Sequence, residues 1–206
     1  MPATVVIDFE TTGLSPGQGA RATEIAAVRL VDGRIVERYQ SLMRTGTRVP
    51  PFIEQLTGIS NRMLERAPPA AQVMREVTDF ARGCTLVAHN ASFDRSFWQQ
   101  EQALAGCAPP QPADFACTMR LARRLYPEAP NHRLGTLASL HGIEATGRAH
   151  RALADAEMAA QLWLRIVHDV ERRYAAAVSH GLLCALQAAG RTQLDRCVER
   201  YLAGHA

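Results

Sequence analysis

The first half of the chain alternates short apolar runs with turn residues, a pattern typical of strands. The β-branched, apolar run Thr4–Phe9 predicts a first strand. Residues 23–30 and 35–42 predict two more, joined by Asp32-Gly33, a dipeptide typical of tight hairpin turns. A shorter buried strand is predicted over residues 84–88.

The remainder of the chain shows the spacing of amphipathic helices. Helices are predicted over residues 70–81, 92–104, 118–125, 134–140 and 151–173, with one or two more near the C-terminus, broken at Gly190. A proline-rich stretch at 109–112 predicts a stiff link into residues 115–117. A hairpin meander followed by alternating helices and strands indicates an α/β fold with a mixed sheet flanked by helices.

The chain's 206 residues suit one domain, which we expect to span residues 1–173, with residues 174–206 as a helical C-terminal extension packed on it. No run approaches the ~20 apolar residues of a membrane span, and the N-terminus does not resemble a signal peptide. The five cysteines form no CxxC pair, which fits a reducing compartment. We therefore expect a cytoplasmic protein that does not contact a membrane.

All 23 basic residues are arginine, and the net charge is +3. The absence of lysine excludes Schiff-base enzymes and P-loop nucleotide hydrolases, which need that residue. Arginine suits phosphate recognition, but a compositional bias of the source genome, which the parallel excess of alanine suggests, explains the pattern better. The charge therefore permits nucleic-acid binding without arguing for it.

Two carboxylates, Asp8 and Glu10, end the first predicted strand. Side chains two apart on a strand share a face, so both acids point one way and Phe9 points to the other, toward the core. Their mutual repulsion destabilises the fold unless a cation lies between them. Two solvated surface acids at a strand end are the simpler alternative.

Two further polar clusters begin predicted helices, at His89–Asp94 and at His150–Asp155. In the first, Asn90 is a good helix cap and Asp94 suits a first helical turn, so structural roles would explain both. In the second, residues five apart lie about 140° apart around a helix. His150 and Asp155 can therefore converge only if His150 precedes the helix.

Together the three clusters resemble the signatures of the DEDDh family of 3′→5′ exonucleases. The first is DFETTGL, from Asp8; the second is the HNxxFD pattern from His89; the third is the HxAxxD pattern from His150. Glu24-Ile25-Ala26 and the run from Leu56 to Ile59 add further matches. The pattern is most similar to the proofreading (epsilon) subunit of DNA polymerase III and its stand-alone homologues. The resemblance implies an exonuclease domain with an RNase H-like fold, in which helices flank a mixed five-stranded sheet.

The resemblance implies a two-metal hydrolase. Asp8, Glu10, Asp94 and Asp155 would hold two divalent ions, Mg²⁺ or Mn²⁺, because carboxylate oxygens favour hard cations. As in the family, His150 would be the general base, since an imidazole gains and loses its proton near neutral pH. The products would be nucleoside 5′-monophosphates released by phosphodiester hydrolysis.

Six more residues are candidates for substrate binding by the same resemblance. They are Thr11, Thr12, Gly13, Leu14, Ile59 and Phe93. The first four would meet the 3′-terminal nucleotide, and the last two would help to line its pocket. A turn at Gly13 and core packing of the apolar members are the structural alternatives.

The implied partner is a single-stranded nucleic-acid 3′ end, with DNA favoured by the Thr-Thr-Gly sequence after the acidic pair. An exoribonuclease that trims RNA 3′ ends is one alternative. A catalytically silent nucleic-acid-binding or subunit-interaction module is another, although such a module has no chemical need of four acids. No linker or glutamine-plus-aromatic motif suggests a polymerase or sliding-clamp partner.

Overall fold

Three strands from the first part of the chain form an antiparallel meander. They are β1 (Thr4–Thr11), β2 (Ala22–Val31) and β3 (Arg34–Leu42). Asp32 and Gly33, which join β2 to β3, both adopt positive φ, 46° and 74°. This is the conformation of the tight hairpin turn that the sequence predicts. The computed structural model describes residues 3–107, 114–144, 147 and 150–204.

Two short strands complete a mixed sheet on the other side of β1. They are β4 (Thr85–Ala88) and β5 (Phe115–Cys117), and the spatial order is β3-β2-β1-β4-β5. β4 runs parallel to β1 and β5 runs parallel to β4. The predicted mixed five-stranded sheet is therefore confirmed. The predicted proline-rich link at 109–112 lies outside the described residues.

Helices flank the sheet on both faces. In chain order the described α-helices are α1 (Pro51–Thr57), α2 (Asn61–Glu65), α3 (Ala70–Phe80), α4 (Ala91–Ala105), α5 (Thr118–Leu125), α6 (Leu134–Leu140), α7 (Ala152–Tyr174), α8 (His180–Ala188) and α9 (Leu194–Ala203). Single 3₁₀ turns span Pro16–Gln18 and Arg191–Gln193. α1 and α2, of seven and five residues, occupy a proline-bracketed segment whose sequence shows no clear helical periodicity.

The alternation of side chains along β1 separates two hydrophobic cores. Val5, Ile7 and Phe9 pack into the core that α3 and α4 cover. Val6 packs into the other core, which α7 covers. Asp8 and Glu10 continue the face of Val6, so β1 directs both acids toward α7.

The C-terminal helices pack in the same core as α7. Leu182 and Leu186 of α8 and Leu194 and Val198 of α9 are buried there, and Gly190 lies between the two helices. None of the helices in the described part of the chain is both long and apolar enough to span a bilayer.

Candidate active site

Three carboxylates from two distant segments converge at the end of β1. Asp8 and Glu10 belong to β1, and Asp155 lies in the first turn of α7. One carboxylate oxygen from each lies within 4.8 Å of the other two. All three residues are partly buried.

A fourth carboxylate, Asp94, approaches from the other side of β1. It lies in the first turn of α4 and is 1% exposed. Its Oδ1 accepts a hydrogen bond from the backbone N–H of Phe9 at 3.2 Å. That hydrogen bond fixes Asp94 next to Asp8, and the charge of Asp94 helps to raise the pKa of Asp8.

The cluster holds its protons more tightly than free carboxyls do. Burial and the neighbouring charges of Asp94 and Glu10 raise the pKa of Asp8 well above its ordinary value. Burial and Asp155 raise the pKa of Glu10 to about 8. Burial, with Glu10 adding to it, raises the pKa of Asp94 to about 8, and burial also raises the pKa of Asp155. Burial, which disfavours the charged form, is the main cause of all four shifts, and neighbouring carboxylates add to those of Asp8, Glu10 and Asp94.

The donor set fits divalent metal ions. Four carboxylates supply hard oxygen ligands, which suit Mg²⁺ and Mn²⁺. The family that these residues resemble depends on divalent metal, and an acidic cluster of the right kind is present in this chain. A bound cation would favour the charged form of these carboxylates and so lower their pKa values.

His150 lies beside the cluster, in the loop before α7. Its side chain is exposed, and its φ is 59°, a left-handed conformation that is rare outside glycine. Its backbone N–H donates to Asp155 Oδ2 at 3.2 Å. His150 therefore precedes the helix, as its five-residue separation from Asp155 requires.

The loop after β1 presents one exposed apolar side chain near the acids. Leu14 is 85% exposed, whereas Thr11 and Thr12 are each 7% exposed. The Thr11 hydroxyl donates to the carbonyl of Gly13 at 2.7 Å. Thr12 Oγ1 accepts from the backbone N–H of Arg21 at 3.0 Å. The two threonines thus shape the loop, and Leu14 is free to contact a ligand.

The remaining two substrate candidates are held in the interior. Ile59 has no exposed surface and packs with Val49 and Leu64. Phe93 is half-buried against Phe97, with ring centroids 4.9 Å apart. The structure gives Ile59 a packing role, and a direct substrate contact for it stays a prediction without support from its exposure.

The predicted N-cap position of Asn90 is confirmed, whereas a capping bond from its side chain is not. Asn90 occupies the N-cap position of α4, but its side chain makes no capping hydrogen bond and its φ is 64°. Asparagine tolerates this left-handed conformation better than other non-glycine residues, which explains its presence here. The neighbouring His89 is partly buried, with its two ring nitrogens hydrogen-bonded to Thr118 Oγ1 and to the carbonyl of His132.

Sequence reasoning missed two residues that support the site, Glu24 and Arg151. Glu24 lies on β2 directly opposite Glu10 and is 1% exposed. It forms an ion pair with Arg151, the residue after His150, at 2.7 Å. Glu24 belongs to one of the matching motifs, but 127 residues separate the partners, and no local pattern reveals their contact.

A groove of about 880 Å³ leads away from His150 and Asp155. Two arginines, Arg123 and Arg133, lie along it with exposed side chains. Guanidinium groups suit phosphate oxygens, so the groove can accept an anionic polymer.

Comparison with known proteins places this geometry in a family. A family model described as Exonuclease (RNase_T) matches residues 5–163, which include every residue of the acidic cluster. The 3′-5′ exonuclease DinG of Bacillus subtilis is 37% identical over 168 residues, or 82% of this chain and 18% of DinG. A PolC-type DNA polymerase III of Halalkalibacterium halodurans is 38% identical over 172 residues, or 82% of this chain and 12% of the polymerase. The chain therefore spans less than a fifth of these relatives.

A solved structure of exonuclease X in complex with 5′-overhanging duplex DNA has a similar fold. Its TM-score is 0.68 with 27% identity, and the match covers 89% of this chain and 99% of that chain. The likeness confirms the predicted RNase H-like exonuclease fold. The resemblance drawn from the three sequence clusters is confirmed with it.

Proposed function

The chain belongs to the exonuclease family, and from that premise we propose that it is a 3′→5′ exonuclease. It hydrolyses the terminal phosphodiester bond at a nucleic-acid 3′ end and releases a nucleoside 5′-monophosphate. The observation that carries the proposal is the convergence of Asp8, Glu10 and Asp155 within 4.8 Å. The exposed imidazole of His150 next to them supports it.

Asp8, Glu10, Asp94 and Asp155 would hold two divalent ions, Mg²⁺ or Mn²⁺. When bound, the ions supply Lewis-acid activation of water and stabilise the charge that develops on the phosphate. The pKa values of Glu10 and Asp94 are raised to about 8, mainly by burial, and bound cations would favour the charged carboxylates and lower these values. Asp94 lies outside the group of three, which favours a supporting position for it.

His150 is the proposed general base. Its imidazole accepts the proton of the attacking water, a task that histidine performs more often than any other side chain. Its exposure supports this role, since a base must reach solvent to pass the proton on. The hydrogen bond from its backbone to Asp155 keeps the base next to the carboxylates.

Single-stranded DNA 3′ ends are the proposed substrate. The DNA polymerase and the DNA-bound exonuclease X among the similar proteins favour DNA over RNA. We propose that Leu14, 85% exposed, packs against the terminal base. Thr11, Thr12 and Gly13 would hold the loop that presents Leu14, and the half-buried Phe93 would help to line the pocket of the terminal nucleotide. Arg123 and Arg133, which line the groove, would guide the phosphates.

We also propose that the protein works in the cytoplasm. All five cysteines are free thiols, and two of them are buried. Free thiols persist in a reducing compartment, which supports this assignment.

Metal titration tests the proposed activity against the alternative of a silent binding module. Single-stranded DNA and RNA oligomers of matched sequence are incubated with the protein in Mg²⁺, Mn²⁺ or chelator, alongside Asp8→Asn. We expect cleavage that needs metal, is lost in Asp8→Asn and is faster on DNA. Oligomer binding without cleavage in any metal would instead support the binding module, and faster RNA cleavage would identify an exoribonuclease.

A further inference from the structure

Glu24, a buried glutamate on β2, accepts four hydrogen bonds, three of them from the start of α7. Glu24 Oε1 accepts from the terminal guanidinium nitrogen of Arg151 at 2.7 Å, and Oε2 accepts from Arg151 Nε at 3.0 Å. The backbone N–H of Ala152 donates to Oε2 at 3.1 Å, and Gln40 Nε2 donates to Oε1 at 2.9 Å. These four hydrogen bonds hold one buried carboxylate rigidly, and we call the contact between Glu24 and Arg151 the first clamp.

The first clamp holds the residue next to His150 in place. Arg151 is the N-cap of α7, and its side chain and the following N–H are both held by Glu24. His150 itself has φ 59°, a conformation that persists in a non-glycine residue only when its surroundings impose it. The clamp supplies such a constraint from one side, and the bond to Asp155 supplies it from the other.

A second clamp of matching form holds a different loop. Glu101 of α4, 1% exposed, accepts from Arg21 Nε at 2.8 Å and from its terminal nitrogen at 2.9 Å. The backbone N–H of Ala22 donates to Glu101 Oε1 at 3.1 Å. In both clamps one buried glutamate thus binds the arginine fork and the N–H of the alanine that follows.

The second clamp is linked to the loop that bears Leu14. The backbone N–H of Arg21 donates to Thr12 Oγ1 at 3.0 Å, and the Thr12 N–H donates to the Arg21 carbonyl at 2.9 Å. Arg21 therefore anchors the Thr12 end of that loop. The two clamps start from the same end of β2 and reach the two sides of the site.

We propose that Glu24 and Arg151 are positioning residues for the general base: their clamp sets where His150 stands, whereas the Arg21–Glu101 clamp sets the substrate loop. The inference rests on the proposed function. If it is right, the two clamps affect different kinetic constants. Loosening the first clamp lowers kcat, because a displaced base transfers the proton poorly, and loosening the second raises KM.

The conservative variants Arg151→Lys and Arg21→Lys test this division. Lysine keeps the charge but cannot form the two-pronged bond. Both arginines are partly exposed at the surface, with side-chain exposures of 33% and 22%, so the folds should survive. We expect Arg151→Lys to lower kcat about 10- to 100-fold with KM within about 2-fold. Arg21→Lys should raise KM with a smaller change in kcat.

A double-mutant cycle separates positioning from general damage. If Arg151 acts through His150, Arg151→Lys should lower kcat much less in a His150→Ala background than in the wild type. An equal fold-loss in both backgrounds would overturn the inference. Glu24→Gln, which removes the charge and keeps the shape, should repeat the pattern of Arg151→Lys.

Hydrogen exchange of the metal-free protein gives a readout that needs no activity. Arg151→Lys should speed amide exchange over residues 150–155, and Arg21→Lys should speed it over residues 11–22 instead. Unchanged exchange at 150–155, or wild-type kinetics in Arg151→Lys, would overturn the inference and leave the exonuclease function standing. A wild-type protein that cleaves neither DNA nor RNA in any metal would overturn the proposed function, and the inference with it.

Discussion

The position of Asp155 beside two other carboxylates lowers the stability of the folded protein. Its carboxylate oxygen lies within 4.8 Å of those of Asp8 and Glu10, and burial raises its pKa. In the metal-free protein these like charges repel, and this repulsion raises the free energy of the folded state. Retaining such a cluster makes physical sense only where a cation uses it.

The first prediction concerns Asp155→Asn. The amide keeps the shape and can still accept the N–H of His150, but it removes a metal ligand and a repelling charge. We expect cleavage to fall by at least about 10³-fold. The metal-free protein should become more stable, with Tm rising by about 2–4 °C for each kcal/mol gained. Thermal unfolding in chelator, with and without added Mn²⁺, measures this, and full activity in the variant would contradict the site.

The second prediction is a pH dependence of the metal-free protein. Glu10 and Asp94 have pKa values of about 8 in the folded chain, against ordinary values of 4.5 and 3.8. At intermediate pH the folded protein keeps protons that the unfolded chain has lost, so unfolding releases protons. The free energy of unfolding should therefore fall as pH rises from the ordinary carboxyl range to about 8.

Metal binding should reverse this trend, because the ions displace the same protons. Calorimetry at neutral pH in buffers of different ionisation enthalpy should show proton release on Mn²⁺ binding, and less of it above about pH 8. Stability that rises with pH in chelator would contradict the assigned pKa values.

Among the helices and strands, the sequence predicts features that lie within one element and misses contacts between elements that are far apart in the chain. The alternation of side chains along a strand is a local rule, and it correctly predicts two acids on one face of β1. Residues five apart lie about 140° apart around a helix, which correctly predicts that His150 precedes α7. The clamp from Glu24 depends on β2 and α7 meeting, which only the folded chain determines. Residue type alone does not separate a capping side chain from a left-handed backbone, since both favour asparagine, and Asn90 has the left-handed backbone without the capping bond.

The third prediction concerns the loop after β1. Leu14 is 85% exposed, so Leu14→Ser should leave the free energy of unfolding within about 0.5 kcal/mol. If Leu14 packs against the terminal base, KM for an oligomer should rise several-fold. Leu104→Ser is the matched control: that leucine is 60% exposed at the far end of α4, about 15 Å along the helix from Asp94. Equal effects of the two changes on KM would remove Leu14 from the substrate site.

At the scale of the whole molecule, the C-terminal helices complete the edge of the sheet. Gln187 of α8 is 9% exposed; its Oε1 accepts from the backbone N–H of Cys117 at 2.6 Å, and its Nε2 donates to the carbonyl of Phe115 at 3.0 Å. Its side chain thus pairs with strand β5 as another strand would. The family match ends at residue 163, so this contact lies outside what the family model covers.

The fourth prediction follows from that contact. Gln187→Met keeps the volume but leaves a buried N–H and a buried carbonyl without partners, which should cost about 1–3 kcal/mol per group. Gln193→Met, at an exposed glutamine between α8 and α9, is the control and should change stability little. Denaturant unfolding measures both. Equal stability of the two variants would show that α8 does not support the sheet edge.

The most direct test of the central claim is the identity of the first product. A single-stranded DNA oligomer carrying a labelled 3′-terminal nucleotide is incubated with the protein and Mn²⁺, and the released label is identified. The account predicts that the first labelled product is a nucleoside 5′-monophosphate, formed only with metal and not by Asp155→Asn. Release of a 3′-monophosphate, an internal cut, or cleavage that persists in chelator would contradict it.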